Sequence, residues 1–522
     1  MKSNRANPLT ENQAADLIVL FAVIIGLLLR IAFPLIAPFP LNDGGLFYTM
    51  IRDLQANNYA LPVFTTYNQA QIPFAYPPLA FYLGSLLSDF TRVDPLNILR
   101  LLPPIISAAG ILIFYLLGKE FLPNKTYAAL ATLLFAFAQR IFAWQVMGGG
   151  ITRSFGFLFA LLTMYFATRL FSTHAARFII WTSIWGALTI LTHPEAILQT
   201  ALAVLIVYLF RDRSRKGLLL SLVSAALILL ITSPWWITVL RLHGFTPYLA
   251  IWSAASSNSN PLLARPIALF QFLVTEEPFL PFLAFLGLIG TFKSIAERKF
   301  FLPVWMVLPY LLDPRSGPLY MMIPLLLLAA QGLLEVILPS LSNEGSKSKD
   351  FLTLLKGGSA KSFLIFIMIY LLVAGYFSAA RIYGRVTLTR SETEAMVWVR
   401  ENTPSNAAFL VITGEQPLLD PTSDWFPALT RRKSLATVFG YEWINDGQFA
   451  HRVEHYELLQ ECLGQTTACL ESWMKATGLK FTHVYIHSNI DFSPLRTDMM
   501  NATDYRLQYD NSGTSIFERE EK

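Results

Sequence analysis

The sequence predicts a polytopic α-helical membrane protein that carries a soluble α/β domain at its C-terminal end. Three observations predict it. Charged residues make up 14% of the 522-residue chain, against about 25% in a soluble globular protein. Aromatics also reach 14%, Phe alone numbering 40, and the mean hydropathy is +0.46. The charge is unevenly spread: residues 1–384 hold 27 basic and 16 acidic side chains, whereas residues 385–522 hold 13 and 19. A membrane body (1–384) is therefore followed by an external domain (385–522). This composition excludes a soluble enzyme, a single-pass receptor and a disordered scaffold. The net charge of +5 sums unlike parts and gives no support to nucleic-acid binding.

A spanning helix needs roughly 20 mostly apolar residues to cross about 30 Å of hydrocarbon. Eleven stretches approach this: 17–37, 97–117, 126–144, 153–171, 177–192, 195–210, 217–240, 280–296, 300–312, 318–338 and 362–383. The first follows Lys2 and Arg5, is too long for a signal-peptide core and shows no small-residue cleavage site, so it reads as an uncleaved anchor. Residues 76–90 are short and proline-rich and are assigned to an external surface helix. With that assignment 17 Lys and Arg fall in loops on the N-terminal side and six in loops on the other. The positive-inside rule then places the N-terminus in the cytoplasm and the external domain outside, in the plasma membrane. Segments 38–96 and 241–279 become large external loops, with short external turns at 145–152, 193–195 and 313–317. Within 38–96 the run GGLFYTMIRDLQANN has helical apolar spacing and predicts an interfacial helix. NEGSKSKD reads as a cytoplasmic linker.

In the external domain TEAMVWVREN and HRVEHYELLQECL have helical spacing, while AAFLVIT and THVYIHS read as buried strands. Cys462 and Cys469 are the only cysteines. On one straight helix they lie about 10 Å apart, too far to bridge. A turn at Gly464 and Thr466 brings them together, so a disulfide and two thiols both stay open.

Asp43, in PFPLNDGGLFYTM, is the most informative side chain. It sits at the outer end of the first span beside two glycines that admit close backbone approach. Its alternatives are a helix N-cap or an acid in a pocket at the lipid interface, built with AYPPLAFYLGSLL. Arg153, Arg265 and Arg315 either bind an anion or snorkel to the interface. In LTHPEAIL, His193 and Glu195 either cap the next helix or contact a ligand, a metal site being least favoured. Glu276 and Glu277 read as solvated surface, and DWFPALTRR with GYEW reads as aromatic core rather than a sugar-binding face. There is no Walker loop, GxGxxG, CxxC or HExxH.

The acid after the first span, Tyr76-Pro77-Pro78 opening a juxtamembrane helix, and Arg100-x-Leu102-Pro103 followed by Ile111, Tyr115 and Leu117-Gly118-Lys119 together resemble the GT-C superfamily of integral-membrane glycosyltransferases. They are most similar to its mannosyltransferase-like branch, beside the protein O-mannosyltransferases and the aminoarabinose transferases. The resemblance implies transfer of a sugar from a polyprenyl-phosphate donor, with inversion, to an acceptor hydroxyl on the non-cytoplasmic face. The acceptor is a glycan, lipid or protein. It implies Asp43 as general base and puts Tyr76 at the family's phosphate-binding position; Arg153, His193, Glu195, Arg265 and Arg315 are the external candidates for binding such a substrate. Tyr76 stands where relatives carry His or Lys, and Gly44 where many carry a second acid. A metal is not favoured, because Arg153 is the only charge in QVMGGGITRSF, where oligosaccharyltransferases hold an aspartate ligand; no cofactor is expected. The alternative function is a secondary transporter or lipid flippase, which needs mid-span charge; Arg30 is the clearest.

Overall fold

The computed structural model describes residues 10–257, 261–342, 350–385, 387–487, 493–511 and 513–520. Lys2, Arg5 and most of the NEGSKSKD linker lie outside these. Among the described residues seven helices are long and apolar enough to cross a membrane: Glu11–Ile36, Pro95–Phe121, Gly150–Thr173, Pro194–Arg211, Arg215–His243, Gly317–Leu341 and Gly358–Arg381. Each coincides with an expected span. The other four stretches form the shorter apolar helices Lys125–Phe137, Arg177–Ile190, Phe282–Ala296 and Phe301–Leu312.

The first helix shows why these segments pack as they do. Ala14, Ala15, Ala22 and Gly26 face the body, while Leu17, Leu20, Ile24, Leu28 and Leu35 are exposed. Small residues let backbones approach closely where no hydrophobic gain separates protein from lipid. Gly26 admits Ile111, whose Cδ1 lies 2.4 Å from where a Cβ would stand. Arg30, fully buried on the same face, donates to Ser107 Oγ at 3.1 Å and to the carbonyls of Gly26 and Ala136 at 2.9 Å each.

The loops sort to two ends of the bundle. At one end Glu120 pairs with Arg169 at 3.2 Å, and its carbonyl accepts from Arg211. At the other end the residues before and after helix Gly45–Ala56 meet the turns before Gly150 and Pro194, and the turn before Gly317 meets that before Pro194 through Arg315 and Glu195. The expected interfacial helices are Gly45–Ala56 and Leu79–Thr91.

Two expectations are corrected. Segment 241–279 is largely helical, with helices Thr246–Ser257 and Arg265–Thr275. Glu276 and Glu277 are therefore not solvated. The second of these helices packs Leu269 and Leu273 on the body, so the residues after it turn inward. Arg140 donates twice to Glu276, at 3.0 and 2.5 Å, and Glu277 Oε1 accepts from the Leu283 amide at 2.7 Å. The stretch 126–144 is also broken, its helix ending at Phe137, which frees Arg140 to make this pair.

The external domain is a five-stranded sheet flanked by helices. Its strands are β1 (Ala408–Ile412), β2 (Lys433–Ser434), β3 (His483–His487), β4 (Tyr505–Asn511) and β5 (Thr514–Arg519), in the order β2-β1-β3-β5-β4. β1 pairs parallel with β2 and β3, whereas β5 pairs antiparallel with β3 and β4. β1 and β3 are buried almost throughout, as their unbroken apolar runs require. The predicted helices are Arg390–Asn402, opened by a Thr389/Glu392 capping box, and Phe449–Glu461. After the latter the chain tightens through Cys462–Gly464 and restarts at Thr467, which brings the cysteine Cα atoms to 5.6 Å and joins them in a disulfide.

Candidate active site

The chain leaves the first helix at Ala37 and turns through Asn42 and Gly44, both at positive φ (52° and 146°), so that Asp43 sits on a sharp corner. Gly44 cannot be replaced without strain: a Cβ there would lie 2.8 Å from the Trp425 ring. The body holds this corner by backbone bonds. The Gly148 amide donates to the Leu41 carbonyl and the Gly149 amide to the Asp43 carbonyl, each at 2.8 Å. The glycine run of QVMGGGITRSF serves this approach, since a Cβ on Gly149 would stand 2.6 Å from Asp43 Oδ2.

The Asp43 side chain is 12% exposed. Its Oδ1 accepts from the Gly149 amide at 3.2 Å and from Arg153 Nη1 at 3.5 Å, while Arg153 Nη2 makes a close ion pair with Oδ2. Arg153 stands on the first turn of helix Gly150–Thr173 and is steadied by the Trp144 carbonyl at 3.1 Å and by the Trp144 ring beneath it. A charge-assisted pair of this kind is stronger than a neutral hydrogen bond.

The remaining predicted residues gather round this pair. Tyr76 Oη lies 3.2 Å from Thr152 Oγ1, and its ring meets the His193 ring edge-on at 6.3 Å. Burial pushes the Tyr76 phenol well above its usual range, so it keeps its proton. His193 caps helix Pro194–Arg211: its Nδ1 accepts from the Glu195 amide at 3.3 Å. Burial first, then Arg153 and Arg315, push its pKa down to about 3. The neutral ring consequently carries its proton on Nε2. Glu195 pairs with Arg315 Nε at 2.9 Å. Arg265 stands apart, donating to the Leu311 and Leu312 carbonyls at 2.6 and 3.2 Å, where it caps helix Phe301–Leu312.

Sequence reasoning missed the contribution of the external domain. Asp43 is not an N-cap; helix Gly45–Ala56 begins at Gly44 with no side-chain cap of its own. That place is filled by Asp424, only 1% exposed, from helix Pro421–Thr430. Asp424 Oδ2 accepts from the Gly44 and Gly45 amides at 2.6 and 2.7 Å, and Oδ1 from the Leu46 amide and Tyr67 hydroxyl at 3.3 and 3.1 Å. Trp425 Nε1 donates to the Asn42 carbonyl at 2.7 Å. Burial, with Asp43 nearby, pushes Asp424 up to about 7, and the amides and phenol oppose the rise. Trp443, from GYEW, lies over Tyr76 at 5.3 Å, and burial raises its neighbour Glu442. DWFPAL is thus core, as expected, but core shared between the two domains. Its one legible signal is an acid directly before an aromatic pair that must be buried.

No protein-family model and no curated protein sequence matches the chain. Solved structures do match. The archaeal oligosaccharyltransferase AglB from Archaeoglobus fulgidus, in complex with an inhibitory peptide and a dolichol-phosphate, superposes with a TM-score of 0.60 at 14% identity. That match covers 97% of this chain and 74% of AglB. ArnT from Cupriavidus metallidurans gives 0.56 at 14% identity, over 97% of this chain and 98% of ArnT. The chain has the GT-C fold. The mycobacterial arabinofuranosyltransferase AftD shares it too, with a TM-score of 0.56 at 14% identity, over 99% of this chain and 40% of AftD. Within this GT-C fold the cluster at Asp43 lies where the helical body meets the external domain.

Proposed function

We propose that the protein is an integral-membrane glycosyltransferase that moves a sugar from a polyprenyl-phosphate donor to an acceptor hydroxyl on the non-cytoplasmic face, with inversion. The observation that carries this reading is the Asp43–Arg153 pair, set among Tyr76, His193, Glu195 and Arg315 at one end of the helices. A carboxylate beside phosphate-binding donors is what the reaction needs. Asp43 takes the proton of the acceptor hydroxyl as its oxygen attacks the anomeric carbon. The polyprenyl phosphate leaves from the opposite side with the bonding electrons. Arg153, the Tyr76 hydroxyl and His193 Nε2–H are the donors offered to its oxygens, which gain strength in a water-poor site. The phosphate competes with Asp43 for Arg153, so donor binding frees the base. A divalent metal suits this donor set poorly, because the guanidinium already fills the cationic place beside Asp43.

The ligands held by two structural neighbours support the donor class: AglB with a dolichol-phosphate, and ArnT bound to undecaprenyl phosphate. The transporter or flippase reading has less behind it. Arg30, its clearest mid-span charge, is spent on Ser107 and two helix carbonyls. The test is to incubate the purified protein with a panel of labelled polyprenyl-phosphate hexoses and pentoses. Asp43→Asn keeps the side-chain size and removes the base, and is expected to lower turnover about 10²–10⁴-fold while donor binding is kept or tightened, because Arg153 loses its competing carboxylate. Near-normal turnover by that variant refutes the assignment.

A further inference from the structure

We infer that Asp424 of the external domain is a positioning residue for Asp43, so that the active site is completed only when this domain is docked. The inference rests on the function proposed above and adds a residue to it. The peptide groups around Asp43 are held from two sides. The body takes the carbonyls of Leu41 and Asp43 through the Gly148 and Gly149 amides. The external domain takes the Asn42 carbonyl through Trp425, and the amides of Gly44, Gly45 and Leu46 through the Asp424 carboxylate.

Those three amides are the unpaired start of helix Gly45–Ala56, and an acid there is favoured by both hydrogen bonding and the helix dipole. Such a cap ordinarily comes from the residue just before the helix. Here Gly44 occupies that position and has no side chain to offer. A chain with φ of 52° at Asn42 and 146° at Gly44 does not hold a corner unaided, because both glycine and this strained turn give the backbone freedom. The cap supplied from 380 residues away fixes it. Tyr67 locks Asp424 in turn, its hydroxyl lying 2.8 Å from the Asp424 carbonyl and 3.1 Å from Oδ1. Fit is close as well: a Cβ on Gly45 would stand 2.3 Å from the Asp424 carbonyl oxygen. Both Asp424 carboxylate oxygens are engaged by these amides and by Tyr67. Asp424 acts through the backbone on either side of Asp43.

A domain-docking contact and a positioning contact give different results. Asp424→Ala removes all three caps. Asn68→Gly removes a second cross-domain pair, the bonds between Asn68 and the Ser434 backbone at 2.9 and 2.7 Å, and tolerates the positive φ at that site. Misplacing a reacting group by about 1 Å costs up to about 100-fold in rate. Per folded, monodisperse enzyme, Asp424→Ala is expected to lower kcat about 10- to 100-fold with donor KM held within about twofold. Asn68→Gly is expected to leave kcat within about twofold. Asp424→Asn, which keeps one oxygen for the Gly44 and Gly45 amides, falls between wild type and Ala and serves if the Ala variant does not fold. Hydrogen exchange at the amides of 44–46 is expected to rise in Asp424→Ala and to stay unchanged in Asn68→Gly. Unchanged kcat or unchanged exchange at 44–46 in Asp424→Ala overturns the inference, as does an equal loss of kcat in Asn68→Gly. If the wild type transfers sugar from no donor in the panel, the glycosyltransferase reading fails, and the exchange experiment alone still decides whether Asp424 holds the corner.

Discussion

Asp43 and Arg153 were recognisable in the sequence because each is a lone charge in an apolar neighbourhood beside a run of glycines. Their direct pairing was not, since 110 residues separate them and an outer-loop arginine has lipid headgroups as an alternative partner. His193 shows the same division. Its place in a tight turn was evident, whereas its neutral state comes first from burial among residues remote in sequence and then from Arg153 and Arg315. That neutrality has a sign in stability. With a folded pKa near 3 and an unfolded value of 6.5, His193 contributes stability that is full above pH 6.5 and is lost as pH falls toward 3. His193→Asn keeps an N-cap of comparable quality and has no such titration. Between pH 7.5 and 5.5 the wild type is therefore expected to lose about 1 kcal/mol more than the variant. Thermal unfolding at both pH values measures the difference in slope. Parallel curves show that the ring protonates freely in the folded protein and that the neutral state given to it is wrong.

Helices of spanning length were legible as elements because twenty apolar residues leave little choice of structure in a membrane. Short elements were not. Arg265–Thr275 has only 11 residues and lies between prolines, so nothing in its length separated a docked helix from a loop. Glu276 and Glu277 were misjudged with it. The cysteine pair was undecidable for a related reason, since its geometry depends on whether helix Phe449–Glu461 continues through Gly464. It stops, and the disulfide ties it to helix Thr467–Thr477. Cys462 is fully buried in the core on one side of the domain's sheet, with Leu459, Leu470 and Trp473, while the helix that meets Asp43 packs in the core on the other side through Trp425 and Phe426. Closing so short a loop constrains the unfolded chain by about 2 kcal/mol. Cys469→Ser, which breaks the bond at its less buried end, is expected to lower the external domain's melting temperature by roughly 5–10 °C. Turnover at 25 °C should stay at the wild-type level. Equal loss of turnover in the folded variant makes the disulfide part of the Asp43 support, contrary to the separation of the two cores.

At the scale of the whole molecule, one-sidedness was the most legible property. The turns assigned to the outer face from Lys and Arg alone, at 145–152, 193–195 and 313–317, meet one another and Asp43 in three dimensions through Arg153, His193, Glu195 and Arg315. Arg169 and Arg211, from two of the basic segments assigned to the inner face, meet at Glu120 at the other end. What composition conceals is the joint between the domains, because a charge balance that changes sign at residue 385 suggests two independent units. Instead the acidic unit places a carboxylate and an indole on the Asp43 corner of the basic one. Such a joint requires both to lie on the same side of the membrane, and that requirement is testable without any substrate. Lys480 is exposed on the external domain, and Lys299 is exposed at the end of the bundle away from Asp43. Single cysteines at the two positions, in a chain whose native cysteines are replaced by serine, are expected to differ. The Lys480→Cys protein should react with an impermeant thiol reagent on intact cells, and the Lys299→Cys protein only after the membrane is opened. Labelling of Lys299→Cys alone inverts the assignment and puts the Asp43 cluster on the cytoplasmic face. Labelling of both in intact cells breaks the two-ended arrangement from which the site was built.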